Sequence, residues 1–386
     1  MTVAALGSLP AAQPWRRRAR VALVAALFDL ALYNLYQVTQ SPTRWPDFAF
    51  FYAFARAGVI EGYRRVYDPV VQQHWIQQLF PGAPFYVVVN PPPFAWVLAP
   101  LALLPFGLAL WIWTLSMIAA LAISSQLLAP PGRFLRLVYL GLWLAFLPAY
   151  LVFVSAPLAP LVILSLALAW KFVRDDHQVA AGLVLAVGLL KPTLAILVPV
   201  ALLAAGYRRT FMAWLAAALA AVGASCLVLG PDGIRAYIAL TLDFAANAYY
   251  LRWSLVPIVG GGVAWAVAVV AITLAIIWLA WRTRQQGLEI TISIGVMGSL
   301  LINHHMTPGD LMMLLLPVWL LLRAGGSLVR DGALALAWVG GWLSLIFPVL
   351  VIVVASATPA AIFVDSLRSG RRLRSGPSEL AREAAR

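Results

Sequence analysis

Between residues 106 and 128 the chain reads FGLALWIWTLSMIAALAISSQLL, without one charged side chain. Runs of this kind recur almost to the C-terminus. A membrane-spanning helix needs about 20 consecutive apolar residues. Clear runs lie at 21–38, 106–128, 211–229, 257–281, 288–302, 308–322 and 333–356. Shorter ones at 134–148, 157–173, 178–190 and 192–206 are broken by Pro or Gly, which membrane helices tolerate where they line a cavity. Only 11% of the 386 residues are charged and 63% are hydrophobic, against about 25% charged in a soluble domain. The chain therefore reads as an all-α polytopic membrane protein.

The net charge of +13 comes from 27 basic and 14 acidic residues. No nucleic-acid recognition motif accompanies it, so the charge is assigned to the ends of spans facing anionic lipid. Cys226 stands alone, which excludes an internal disulfide; in its apolar run it reads as a packing residue. The start, PWRRRARVALVAALFDLALYNLYQV, lacks a small-residue cleavage site after its apolar run. It is expected to be an uncleaved first span with a cytoplasmic N-terminus.

Basic clusters orient the spans. They lie at Arg16–Arg20, Arg133/Arg136, Lys171/Arg174, Arg208/Arg209, Arg282/Arg284, Arg323/Arg330 and Arg368–Arg374. With all seven in the cytoplasm, each interval crosses the membrane an even number of times, for about 12 spans in all. Asp47, the Pro148–Pro157 stretch, Lys191, the 230–256 loop and His304/His305 then face outward together. Residues 1–366 are expected to form a single membrane domain and 367–386 a basic cytoplasmic tail. The stretch 41–90 reads as an external loop with amphipathic juxtamembrane helices, apolar faces in the lipid boundary.

Four motifs stand out. Asp47 follows Pro46, which suits the first position of a helix and puts the carboxylate in the first turn. Beside Trp45, Phe48, Phe50, Phe51, Tyr52 and Phe54 it is either a helix-start carboxylate or a general base at the membrane boundary. Lys191 is one of two lysines, set mid-hydrophobic in AVGLLKPTLAIL. An intramembrane cation is by default a functional candidate and suits a phosphate, the alternative being a lysine that snorkels to the interface. In SLLINHHMTPGDLMMLLLP, His304, His305 and Asp310 form either a polar loop or a site where a histidine bonds a sugar hydroxyl or phosphate oxygen. Adjacent histidines do not both point into one site from a helix, so the metal pattern is weak. The prolines of VVVNPPPFAWVLAPLALLP stiffen the entry to the next span. Asp29, inside the first span, is read as a partner for an arginine on a neighbouring helix or as cavity lining.

The ordered set of DF..Y after the first span, G...VYDP, NPPPFAWVLAPLALLP, GLVLAVGLLKPTLAILVPVALL with an Arg pair following, and the late His turn before DLMMLLLP resembles glycosyltransferase family 87 (DUF2029) over about residues 15–350. The chain departs from that pattern at VFVSAPLAP, where the family often has Gly-Gln. The resemblance implies a GT-C transmembrane bundle and a polyprenyl-phosphate-sugar-dependent hexosyltransferase, similar to polyprenol-phosphate-mannose-dependent mannosyltransferases. It implies Asp47 as catalytic base, Lys191 near the lipid phosphate, and His304 or His305 on the rim. A lipid or glycan acceptor and membrane lipids are the other expected partners, with no nucleic acid, in a multi-pass plasma-membrane protein whose site is extracytoplasmic. No organic cofactor is expected, and a divalent metal is left open.

The residues agree with that chemistry. A phosphodiester leaves without a general acid, cations such as Lys191 and a histidine stabilise the departing charge, and one carboxylate activating the acceptor predicts inversion. Tyr249, Tyr250, Arg252 and Trp253 are candidates to stack on and bond the sugar or acceptor. Two other readings stand beside this one. A secondary transporter fits broken helices and a midplane Lys but calls for an inverted repeat, which the sequence lacks. A non-catalytic lipid-binding assembly subunit would tolerate loss of Asp47.

Overall fold

The computed structural model describes residues 14–40, 47–325 and 327–374. Every regular element among them is helical. In chain order the main helices are α1 (Pro14–Gln40), α2 (Asp47–Glu61), α3 (Pro69–Leu79), α4 (Pro92–Ala102), α5 (Phe106–Leu128), α6 (Arg133–Leu144), α7 (Ala159–Arg174), α8 (Gln178–Leu185), α9 (Leu197–Ala204), α10 (Arg208–Ala245), α11 (Val263–Arg282), α12 (Leu288–Ile302), α13 (Leu315–Ala324), α14 (Leu328–Leu343) and α15 (Leu350–Arg374). Short 3-10 turns link several of them.

Among the described residues five helices are long and apolar enough to cross a membrane, or six if the bent pair Arg133–Leu144 and Leu147–Val154 is one span. Leu227 on α10 (83% exposed) and Val263 on α11 (81%) head two faces of apolar side chains that point away from the protein. Such faces suit lipid, because a helix bonds all its backbone groups internally. Cys226 lies exposed on α10 and so is not the packing residue its apolar run suggests. Asp29 is also exposed and forms no ion pair among the described residues.

Two expectations change. The run 333–356 is not one helix: it stops at Leu343 and resumes at Leu350, across a turn that contains Pro348. A proline cannot donate to the helix ladder and clashes with the preceding turn. The last helix runs on to Arg374. Within the stretch 41–90, α2 does not present one apolar face only. Phe48, Ala49, Phe50, Tyr52, Ala53, Phe54, Ala55 and Ala57 of α2 are all buried, and a helix buried nearly all round belongs to a core. α2 packs on α4 and α3. The Tyr52 hydroxyl donates to the Leu104 carbonyl at 2.6 Å and Arg56 Nη1 to the Ala102 carbonyl at 2.6 Å, which ties α2 to the end of α4.

α12 is buried along almost its whole length. Its hydroxyls are satisfied within the helix: Ser293 donates to the Glu289 carbonyl at 2.7 Å and Ser299 to the Gly295 carbonyl at 2.8 Å. Close packing needs glycine where α8 crosses α10. A Cβ on Gly182 would meet the Thr210 carbonyl oxygen and lie 2.9 Å from the Trp214 amide nitrogen. Both are backbone atoms, so no side chain can swing away. Gly182→Ala is expected to lower stability by about 1–3 kcal/mol, seen as a lower thermal unfolding midpoint in detergent. An unchanged midpoint would mean that α8 and α10 slide apart freely.

The helices run between two charged ends. At one end Trp170 Nε1 and Arg174 Nη1 each donate to Glu289 Oε1 at 3.1 Å, and Arg323 Nη1 donates to the Leu128 carbonyl at 2.9 Å. At the other end the rings of Phe106 and Trp113, at the start of α5, stack on Phe48 beside Asp47. The 23 residues of α5 span about 34 Å at 1.5 Å per residue, roughly one membrane thickness.

Candidate active site

Asp47 opens α2, in the first turn as its sequence position suggests; Trp45 and Pro46 lie outside the described residues. The neighbouring Phe48 amide donates to the Ser155 carbonyl at 3.3 Å. Ser155 belongs to the VFVSAPLAP loop, so the segment that departs from the family pattern holds the start of the Asp47 helix. The next residue, Ala156, has a positive φ of 51°, rare for a residue with a side chain. Its carbonyl accepts from Trp113 Nε1 at 2.8 Å. Pro157 presses on Gly309, where a Cβ would lie 2.9 Å from the proline's own. One loop therefore touches both the Asp47 helix and the turn that carries Asp310.

Lys191 stands between two 3-10 turns, Ala186–Leu190 and Pro192–Leu194. Its backbone is extended (φ −148°, ψ 77°) because the residue before proline avoids the helical region. The chain cannot continue as a helix there. Asn90 steadies this break by donating from Nδ2 to the Leu190 carbonyl at 3.1 Å, while the Asn90 carbonyl accepts from the Tyr67 hydroxyl at 2.5 Å. Burial pushes the Tyr67 phenol up, so it stays a donor.

The Lys191 ammonium meets Asp310 Oδ1 at 2.6 Å; the lysine side chain is 22% exposed and the aspartate 0%. The other oxygen, Oδ2, accepts from the Thr307 amide at 2.8 Å. That is half of a capping box at the start of the 3-10 helix Pro308–Leu314. Asp47 is partly exposed and accepts no hydrogen bond from the described residues. Its carboxyl is pushed up from 3.8 to about 6, first by burial and then by Asp310, against the opposing pull of Lys191. The three groups form one electrostatic unit: a free carboxylate, an ammonium, and a carboxylate that holds the ammonium.

The histidines form a second cluster. His304 Nε2 pairs with the Ala245 carbonyl at 3.0 Å, which needs the proton on Nε2 and leaves Nδ1, buried and without a partner, as an acceptor. The His304 ring packs on Trp265 and the His305 ring on Phe244. Burial, the largest influence on each, holds both imidazoles below their usual range. Neither is among the groups that shift Asp47. Arg252 lies over the rings of Tyr249 (4.5 Å) and Trp253 (5.1 Å). Trp253 is 4% exposed and its indole donates to the Ser344 carbonyl at 3.2 Å, so it anchors its loop rather than offering a face to a sugar. The side chain of Tyr250 lies outside the described residues. No group of three or more His, Cys, Asp or Glu side chains able to hold a metal occurs among the described residues.

Sequence reading left Asp310 out of the site proper and passed over Asn90 as a support. The Thr-Pro-Gly-Asp stretch before an apolar run is itself a helix-start signature and announces the cap. Nothing in the sequence pairs Asp310 with a lysine 119 positions away.

The fold and this site define a polytopic helical membrane protein with a carboxylate–ammonium centre at one end of its bundle. The family model of glycosyltransferase family 87 matches residues 88–317, more than half of the chain. The chain belongs to that family and is a glycosyltransferase, which sets aside the transporter reading. The matched region contains Lys191, His304, His305 and Asp310, while Asp47 precedes it. Comparison with curated proteins and with solved structures finds no match.

Proposed function

We propose that the protein transfers a hexose, mannose being the leading candidate, from a polyprenyl-phosphate-linked donor to a hydroxyl of a lipid or glycan acceptor. The reaction takes place at the extracytoplasmic face, within a GT-C bundle. The observation that supports this reading is the Lys191 ammonium, held by Asp310 at 2.6 Å in the same electrostatic unit as Asp47, in a chain of glycosyltransferase family 87; burial pushes the Asp47 carboxyl up to about 6. A general base works best with a pKa near the operating pH. The acceptor oxygen attacks the anomeric carbon from the face opposite the phosphate and its proton passes to Asp47. The bond from the anomeric carbon to the phosphate oxygen breaks, and the electron pair stays on the polyprenyl phosphate. Lys191 has three N–H donors, and Asp310 occupies one. The remaining two meet the charge that grows on the phosphate.

The charge pattern supports this side of the membrane. Lys171, Arg174 and Arg323 gather at the end of the bundle opposite Asp47, and basic residues favour the cytoplasm. In this reading His304 or His305 bonds a sugar hydroxyl or a phosphate oxygen at the rim of the site.

The test is transfer by purified protein in lipid nanodiscs, supplied with labelled polyprenyl-phosphate sugars and a membrane extract as acceptor. The expected product has the opposite anomeric configuration to the donor. Its rate falls about tenfold per pH unit well below 6, as Asp47 takes up a proton. Transfer from nucleotide sugars but not from lipid-linked ones would overturn the donor assignment. A rate flat between pH 5 and 8 would remove Asp47 as the base.

A further inference from the structure

Asp310 has no place in the chemistry of transfer, yet its carboxylate is fully buried. Its hydrogen bond to the Thr307 amide explains only one oxygen, and a neutral Asn or Ser would cap the turn as well. Among the described residues the charge is matched by Lys191 alone, at 2.6 Å. The lysine stem comes from a broken helix and is partly exposed, so without a partner its ammonium has several rotamers to occupy. The Asp310 side is rigid by contrast. Gly309 is wedged under Pro157, and the residues from Gly309 to Leu316 are buried.

We propose that Asp310 is a positioning residue of the transfer site, which holds the Lys191 ammonium in one direction so that its two unused donors face the leaving phosphate. The role rests on the reading of Lys191 as the phosphate ligand. It also makes Asp310 a second negative charge that acts on the Asp47 carboxyl, raising it after burial and against the pull of Lys191. The Asp47 helix itself also carries Arg56 and Glu61, and the elements packed against it carry Arg64, Arg65, Asp68 and His74. Among the described residues, the charged groups that shift the Asp47 carboxyl beside burial are Lys191 and Asp310.

The test compares wild type, Asp310→Asn, Lys191→Gln and the double variant. Asp310→Asn keeps an oxygen for the Thr307 amide. It is expected to lower kcat by about tenfold to a hundredfold, the usual cost of a misplaced group. In the Lys191→Gln background the same change should cost less than about twofold, because two residues that act through one interaction are not additive. A residue that only caps the turn would give equal factors in both backgrounds, and that result would overturn the proposal.

A second readout needs no donor. The carboxyl stretch of Asp47 is titrated by infrared difference spectroscopy against Asp47→Asn. Its midpoint should drop by about one unit in Asp310→Asn and rise in Lys191→Gln. Unmoved midpoints in both would refute the coupling. If the shifts appear but no lipid-linked sugar is transferred by wild type, the donor assignment fails and with it the aim at a phosphate, while the coupling of Asp310, Lys191 and Asp47 stands. Should Asp310→Asn fail to fold, Asp310→Ser, which also caps the turn, is titrated in its place, with the same drop expected and an unmoved midpoint overturning the coupling.

Discussion

Asp47→Asn is expected to lower the rate of sugar transfer by about 10²–10⁴-fold while making the protein more stable at neutral pH. The first effect follows from removing the base. The amide has nearly the same shape and can still meet the acceptor hydroxyl, but it does not take its proton. Donor affinity should change little, since the phosphate is held by Lys191. The second effect follows from linkage. The folded-state pKa of about 6 lies above the ordinary 3.8, so the folded protein binds more protons than the unfolded chain between those values. Stability is therefore greatest below the lower value and falls as the pH rises through the window. Above about 6 the full cost of burying a carboxylate is present, roughly 1–3 kcal/mol. Asparagine carries no such cost. Unfolding midpoints of the two proteins should differ at pH 8 and converge near pH 4. Equal transfer by both proteins would take Asp47 out of the chemistry, and an Asn variant less stable at pH 8 would contradict desolvation as the cause of the shift.

That trade between stability and reactivity explains which parts of the site could be read from sequence. A carboxylate next to aromatics and a lysine amid leucines are visible because they violate the local pattern. The broken helix at Lys191-Pro192 was legible for the same reason, since pre-proline geometry is local. Asp310 violates nothing: it sits in a turn, where polar residues are ordinary, and its meaning comes from a contact 119 positions away.

The apolar segments were legible as helices but not as lipid-facing or buried ones. α11 and α12 are both apolar runs, yet α11 is largely exposed and α12 almost wholly buried. Only the packing of α9, α11, α13 and α15 around α12 separates them. The same limit hid the burial of α2, whose aromatics suit a lipid boundary and a protein core equally well.

Lys191→Met is expected to lower transfer by about 10²–10³-fold and to destabilise the fold by about 3–5 kcal/mol. The methionine keeps the length and apolar stem of lysine but leaves the Asp310 carboxylate buried with no cation. Removing one partner of a buried pair is costly because the surviving charge has lost both water and its counter-ion. Replacing both partners removes that cost. The double variant Lys191→Met/Asp310→Leu should recover much of the stability, less the lost bond to the Thr307 amide, which contributes about 1 kcal/mol. Activity should not return, because the phosphate still lacks its ammonium. Unfolding midpoints and transfer rates measured on the same preparations separate the two roles of the lysine. Recovered transfer in the double variant would make the pair a folding device alone. Lost stability in both variants would mean that the pair contributes more than mutual neutralisation to the turn at Pro308–Leu314. Recovered stability without activity would place the role of Lys191 in the chemistry, where a cation set in an apolar helix is costly for the fold and useful to a departing phosphate.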